Sequence, residues 1–257
     1  MKQPINEFQR DFLNVKIYED KQQLGEASAN FVARQLQEAI RQKGHANLIL
    51  ATGASQFTFL EALKEKTIEW DKITVFHLDE YIGISDQHPA SFRKYLKERI
   101  LDIVKPGKVH LIEADAENLE ETLKEYASLL EAHPVDIACI GIGENGHIAF
   151  NDPPVADFND PLLIKVVELD EACRQQQLGE GWFPTFDDVP KQAVSLTVTA
   201  IMKSKTISCV VPDERKSTAV DHTLFGEIST ACPASILRRH PNAVLFLDLP
   251  AASRIQH

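Results

Sequence analysis

The sequence predicts an α/β fold: a mostly parallel, doubly wound, Rossmann-like sheet with helices on both faces. Two observations carry this. Short apolar runs such as Asn47–Ala51, Val135–Ile140 and Thr206–Val211 alternate with segments of helical periodicity. The runs are near-continuous in apolar character, the mark of strands covered on both faces. Several are followed by glycine-rich or polar turns, which places those turns where open α/β sheets keep their chemistry.

The elements follow in order. Val15–Tyr18 reads as a first strand, and Lys21–Lys43 as a helix with Phe31, Val32, Leu36 and Ile40 at helical spacing and Gly44 as its stop. Asn47–Ala51 is a strand and Phe57–Lys66 a helix; Ile73–Leu78 is a strand and Ser91–Ile103 the helix after its loop. Lys108–Ile112 is a strand, Ala116–Ala132 a helix and Val135–Ile140 a strand. Short strands are expected at Leu163–Val167 and Ala193–Thr197, then a strand at Thr206–Val211, a helix at Glu214–Leu224 and a last strand at Ala243–Leu247. Such alternation implies right-handed βαβ units. The stretch Val155–Pro190, with Gly179, Gly181, Pro161, Pro184, Trp182 and Phe183, is the least regular and reads as a lid or a packed surface loop.

The 257 residues are taken as one domain, 1–257, of ordinary globular composition at 44% hydrophobic and 25% charged. A net charge of -11 argues against a nucleic-acid partner. No apolar run is long enough to span a membrane, and Met1–Glu7 lacks a signal core, so a cytoplasmic protein is expected. Cys139, Cys173, Cys209 and Cys232 are widely spaced and read as buried free thiols. His77, Asp79, Glu80 and His147 show no zinc-ligand spacing, so no catalytic metal is expected.

The chemistry concentrates in a few turns. Gly141-Ile-Gly-Glu-Asn-Gly-His-Ile-Ala-Phe-Asn-Asp-Pro-Pro154 delivers His147, flanked by Asn145, Asn151 and Asp152, to a strand's end. Thr52, Gly53, Ala54 and Ser55 join a strand to a helix start, offering backbone N–H groups and hydroxyls to an anion. The loop matches neither the Walker A pattern nor the Rossmann glycine fingerprint. Asp79 and Glu80 follow a strand and point to opposite sides, so one of them faces the site as a candidate general base. His77 lies within the strand and reads as a core residue. Lys216 and Arg174 are candidate cations for the anion.

Four segments together resemble one family. Thr52-Gly-Ala-Ser55, Leu78-Asp-Glu-Tyr-Ile-Gly83 with His88-Pro89, Gly141–Pro154 and Lys216 follow the order and spacing of glucosamine-6-phosphate deaminases, also called isomerases. The related 6-phosphogluconolactonases share the phosphate loop but carry a DGHTASLFP-like run where this chain has NGHIAFNDPP. The resemblance implies a small-molecule amino-sugar phosphate as substrate, with neither metal nor redox cofactor, no nucleic acid and no membrane; a homo-oligomer is compatible with it. By similarity, His147 moves a proton between O1 and O5 to open the ring, oriented by Asn145 and Asp152. Asp79 takes the C2 proton and returns one to C1. Ammonia leaves, and fructose 6-phosphate remains. Thr52, Gly53, Ala54, Ser55 and Lys216 hold the phosphate, with Arg174 near the position of a family phosphate arginine. Two positions depart from the usual pattern: Asn145 stands where many members have aspartate, and Asp152 where glutamate is usual. The alternatives are a lactonase-like hydrolase and a sugar-phosphate-binding protein with impaired catalysis.

Overall fold

The computed structural model describes residues 3–255; Met1 and Lys2, part of the stretch read for a signal core, and the last two residues of the 1–257 unit lie outside the described residues. Its centre is an eight-stranded sheet of β1 (Asn6–Arg10), β2 (Leu13–Tyr18), β3 (Ala46–Leu50), β4 (Ile73–His77), β6 (Lys108–Val109), β7 (Ile137–Ile140), β10 (Thr206–Val211) and β11 (Ala243–Asp248). The spatial order is β1-β2-β11-β10-β7-β3-β4-β6. Every neighbouring pair is parallel except β1–β2, an antiparallel hairpin. Chain order runs outward from β3 through β4 to β6, then returns on the other side of β3 at β7. That reversal opens a crevice at the C-terminal edge between them.

Strands β3, β4, β7, β10 and β11 are buried along their whole length. Alternate residues feed the two faces: Ile49, Ala138 and Ile140 join one apolar layer, and Leu48, Leu50, Ile137 and Cys139 the other. Helices α1 (Lys21–Lys43) and α2 (Phe57–Lys64) cover the second layer, while α5 (Leu119–Ala132), α7 (Val198–Met202) and α8 (Ser217–Phe225) cover the first. The doubly wound architecture expected from the sequence is therefore present. Helix α1 starts and stops where its sequence says: the Asp20 side chain accepts from the Gln23 N–H, and Gly44 takes a left-handed φ of 81°.

Several boundaries differ. The antiparallel β1 is an addition to the expected strands, and β6 shrinks to two exposed residues at the sheet edge, where a short strand limits open pairing. After the Ser91 cap, α3 (Phe92–Leu96) passes through a π-helical segment, Lys97–Leu101, into α4 (Asp102–Val104). Helix α5 begins at Leu119 because Asn118 caps it. A 3-10 turn at Glu214–Lys216 precedes α8.

The larger correction concerns Val155–Pro190. It is not a simple loop: besides the strand expected near its middle, here β8 (Ile164–Glu168), it holds α6 (Glu171–Gly179) and a 3-10 turn at Phe186–Asp188. Asp170 caps α6 by accepting from the Cys173 N–H at 2.6 Å. Strand β8 pairs with β9 (Gln192–Leu196), which pairs with β5 (Asp79–Tyr81), forming a separate three-stranded antiparallel sheet. This sheet grows directly from the end of β4, since only Leu78 separates β4 from β5. It encloses a third apolar cluster containing Tyr81, Phe92, Phe150 and Phe183. No helix among the described residues is long and apolar enough to cross a membrane.

Candidate active site

A cavity opens at the C-terminal ends of β3, β4, β7 and β10. It is lined by Thr52, Gly53, Ser55, Asp79, Gly141, Gly143, His147 and Lys216, and by Phe92, Phe150, Gln176, Gln177 and Glu180, among others. The crevice predicted by the strand-order reversal is thus where the sequence-predicted residues meet.

After β3 the chain turns at Gly53, whose φ of 93° lies in the region that favours glycine. Ala54–Gln56 form a 3-10 turn that leads into α2, and Thr52, Gly53 and Ser55 line the cavity ahead of that helix start. The Tyr95 hydroxyl donates to the Gly53 carbonyl at 2.8 Å and fixes the loop from the side. Ala54 shapes this loop without lining the cavity. Across it stands Lys216, buried in the turn before α8. Burial pushes its ammonium down and the charges of Glu180 and Glu144 pull it back up, with burial prevailing.

At the end of β4, Asp79 and Glu80 separate as the alternation of an extended strand requires. Asp79 lines the cavity and is 7% exposed. Burial, reinforced by the neighbouring charge of Glu80, raises its carboxyl well above the usual range. Glu80 turns inward. Its Oε1 accepts from the Tyr81 and Phe92 N–H groups, and its Oε2 from the Ser91 hydroxyl, the Arg93 N–H and Arg93 Nε. Burial raises the Glu80 carboxyl, and these donors offset part of that rise. Its work is to tie β5 to the start of α3, which fixes the strand that carries Asp79. His77 is fully buried, and burial lowers its imidazole to about 3, so it is a neutral core residue.

The turn after β7 places His147 against the cavity with Nδ1 2.9 Å from Asp152 Oδ1. Asn145 Nδ2 donates to the same oxygen at 3.0 Å, and Asn145 Oδ1 accepts from the His147 N–H at 3.1 Å. Burial raises the Asp152 carboxyl, but hydrogen bonding and charge from His147, with Asn145, outweigh it and hold the group below its ordinary value. Nδ1 is buried beside Asp152, which leaves Nε2 as the nitrogen available for proton exchange. Asn151 is structural, donating to the Ile148 and Leu196 carbonyls at 2.8 Å each.

Arg174 is the predicted residue that the fold does not bring to the site. Its guanidinium donates to the Phe186 and Val189 carbonyls and stacks on the Phe186 ring at 4.1 Å. The reason is helical phase: α6 presents Gln176, Gln177 and Glu180 to the cavity, and Arg174 falls on another side. Those three cavity residues were not singled out from sequence. The Asp170 cap, with Glu171 in the first turn, was the signal that a helix begins there. Gln176 Oε1 accepts from the Glu144 N–H at 3.0 Å, and Gln177 Oε1 from the Tyr81 hydroxyl at 2.7 Å, so α6 closes one wall of the cavity.

The arrangement offers an anion cradle, a buried carboxylate and an imidazole–carboxylate pair within one cavity. That set suits proton transfers on a phosphorylated substrate. All four cysteines are buried and free, as their spacing suggested.

The family described as glucosamine-6-phosphate isomerases/6-phosphogluconolactonase matches residues 19–246. Glucosamine-6-phosphate deaminases of Bacillus cereus (strain B4264) and Bacillus thuringiensis (strain Al Hakam) are each 34% identical over 241 residues, 94% of this chain and 88% of theirs. Among solved structures, a monomeric glucosamine-6-phosphate deaminase superposes with a TM-score of 0.85 at 32% identity, covering 93% of this chain and 98% of that one. A 6-phosphogluconolactonase from Shewanella baltica OS155 has a TM-score of 0.76 at 20% identity, covering 91% and 97%, and shares the fold.

Proposed function

The chain belongs to the glucosamine-6-phosphate isomerase/6-phosphogluconolactonase family, and from that premise we propose that it is an enzyme converting glucosamine 6-phosphate and water to fructose 6-phosphate and ammonia. The observation that carries this reading is the meeting of Asp79, His147 backed by Asp152, and the Thr52–Ser55 loop around one cavity.

The substrate phosphate rests on the loop of Thr52, Gly53, Ala54 and Ser55, with Lys216 supplying positive charge from a buried position. Binding energy at this end, remote from the reacting carbons, holds C1 and C2 against the catalytic groups. His147 Nε2 takes the O1 proton and delivers it to O5 as the C1–O5 bond opens. Asp152 at Nδ1 keeps the ring oriented and stabilises the transient imidazolium. Asp79, made more basic by burial, removes the C2 proton from the open chain and returns it to C1. The resulting iminium at C2 adds water and expels ammonia, so the net reaction is an isomerisation coupled to hydrolysis. These steps use groups of one chain.

Asp152 supports retained catalysis. Although its side chain is one methylene shorter than the family's usual glutamate, it reaches hydrogen-bonding distance of Nδ1. Lactonase chemistry would use His147 to activate water and leave the buried Asp79 without a task, which favours the deaminase reading. Phosphorylated sugars do not cross membranes unaided, and amino-sugar catabolism in the cytoplasm is the setting we propose.

The test is ammonia release from glucosamine, galactosamine and N-acetylglucosamine 6-phosphates, run beside hydrolysis of 6-phosphogluconolactone. Ammonia from glucosamine 6-phosphate is the expected result. Saturable sugar-phosphate binding without ammonia at high enzyme concentration would replace the enzyme with a sensor.

A further inference from the structure

Behind the cavity wall, three different donor types converge. A ring nitrogen of His147, a carboxylate oxygen of Asp152 and the sulfur of Cys173 all lie within 4.8 Å of one another. The three side chains are 7%, 0% and 1% exposed. They come from two elements: the turn after β7 supplies His147 and Asp152, and the first turn of α6 supplies Cys173. Asp170 stiffens that junction by accepting from both the Cys173 N–H and Asn145 Nδ2, at 2.6 and 3.5 Å. Asp152 Oδ2 is buried with no hydrogen-bond partner of normal geometry, and the group facing its carboxylate is the Cys173 thiol, a weak donor. A wholly buried carboxylate oxygen with only this weak donor beside it can serve as a metal ligand.

We propose that His147, Asp152 and Cys173 form a three-donor site for a zinc-like divalent cation, set directly behind the imidazole that lines the substrate cavity. The donor set of nitrogen, oxygen and sulfur suits Zn²⁺ and the spectroscopic probe Co²⁺ better than Mg²⁺ or Ca²⁺, which prefer all-oxygen ligands. Metal–ligand distances of about 2.0–2.3 Å place tetrahedral donors roughly 3–4 Å apart, within reach of the observed cluster after small side-chain shifts. Entry is through the cavity, which His147 lines.

The ion is an inhibitor rather than a cofactor, and this consequence rests on the proposed role of His147. Coordination uses the Nδ1 lone pair, so the ring proton moves to Nε2. An Nε2–H ring cannot accept a proton from O1. The Cys173 thiol gives up its proton to solvent as the metal–sulfur bond forms, so binding one ion releases one proton.

The experiment reads binding without turnover. Chelator-treated protein is titrated with Co²⁺, following the thiolate-to-cobalt charge-transfer absorption, and with Zn²⁺ by equilibrium dialysis. One ion per chain is expected, with the charge-transfer band absent in Cys173→Ser and Cys173→Ala and kept in the Cys139→Ser control. Circular dichroism checks that each variant is folded. Affinity for Zn²⁺ should fall at least about 10-fold in either Cys173 variant and in Asp152→Asn. No bound ion in the folded wild type, or a band indifferent to Cys173, overturns the site. A protein that binds the metal in this way and yet releases no ammonia when chelator-treated and metal-free would overturn the deaminase reading and leave the metal site standing.

Discussion

The imidazole of His147 lies across the backbone of Gly143, so close that a methyl group at residue 143 would stand 2.1 Å from its Cε1. The glycine is required there by the ring, not by its own dihedral angles, since its φ is not among the positive ones. The same two residues are joined through the backbone, where the Gly143 N–H donates to the His147 carbonyl at 2.9 Å.

Gly143→Ala should therefore act on chemistry more than on binding. The added methyl pushes the ring away from Asp152, and a displacement of about 1 Å costs on the order of 100-fold in kcat. Inorganic phosphate, held at the far end of the cavity, should bind as in the wild type. Ammonia-release kinetics with phosphate calorimetry measure the two separately; an unchanged kcat would show that the ring position is not limiting.

Asp79→Asn should abolish turnover and stabilise the fold at neutral pH. Burial raises the Asp79 carboxyl, so its folded pKa exceeds the unfolded one. The stability linked to this group is present at low pH and is lost as pH rises through the folded pKa. An amide does not ionise and avoids that loss, giving a rise of about 2–4 °C in Tm near neutrality that vanishes in acid. In the wild type, the same shift puts the acid limb of kcat/KM above the ordinary carboxylate range, because the base works only when ionised. Differential scanning calorimetry across pH and a pH–rate profile check both statements.

Glu180→Gln should tighten phosphate binding. The Glu180 Oε2 atom lies 3.8 Å from the point where a Cβ on Gly53 would stand, and its charge acts on Lys216. Gln176 Nε2 donates to Glu180 Oε1 at 2.9 Å and Trp182 Nε1 to Glu180 Oε2 at 3.1 Å, which holds the carboxylate there. Removing one negative charge beside the cradle should lower the Kd for inorganic phosphate by about 10-fold. Weaker binding in the variant would mean that Glu180 instead assists the ligand. Trp182 fluorescence offers a second readout of the same contact.

Glu80→Ala should be among the most damaging single changes outside the cavity. It strips Arg93, itself 6% exposed, of a buried counter-ion and leaves the Tyr81, Phe92 and Arg93 amides without their acceptor. Breaking a buried pair of this kind costs about 3–5 kcal/mol. Urea denaturation should show that loss, with Glu80→Gln retaining part of the stability because its carbonyl still accepts.

Much of the site was legible because its pieces are local. The run from Gly141 to Pro154 encodes a turn, an imidazole and a carboxylate within a few residues, and the structure keeps them within hydrogen-bonding distance. Strand alternation likewise required that only one of Asp79 and Glu80 face the site, and the family resemblance pointed to Asp79. Arg174 was not, because which side of α6 meets the cavity depends on how that helix docks against Tyr81 and Glu144. Strands β8 and β9 were expected, but their assembly with β5 into a separate sheet was hidden for a related reason: a three-residue strand gains its stability from partners more than 80 residues away and from the Tyr81–Phe150 cluster, not from a pattern of its own.

The amino-acid order by itself determined the alternating α/β plan, the cradle at Thr52–Ser55 and the placement of His147 and Asp79 at strand ends. Each follows from short-range periodicity and turn chemistry, which neighbouring residues specify. Tertiary structure alone decided the wall of the cavity: Gln176, Gln177 and Glu180 facing inward, Arg174 facing away, and Cys173 brought beside Asp152. Those outcomes depend on packing between segments distant in the chain, where a turn of one helix decides which side chains share a site.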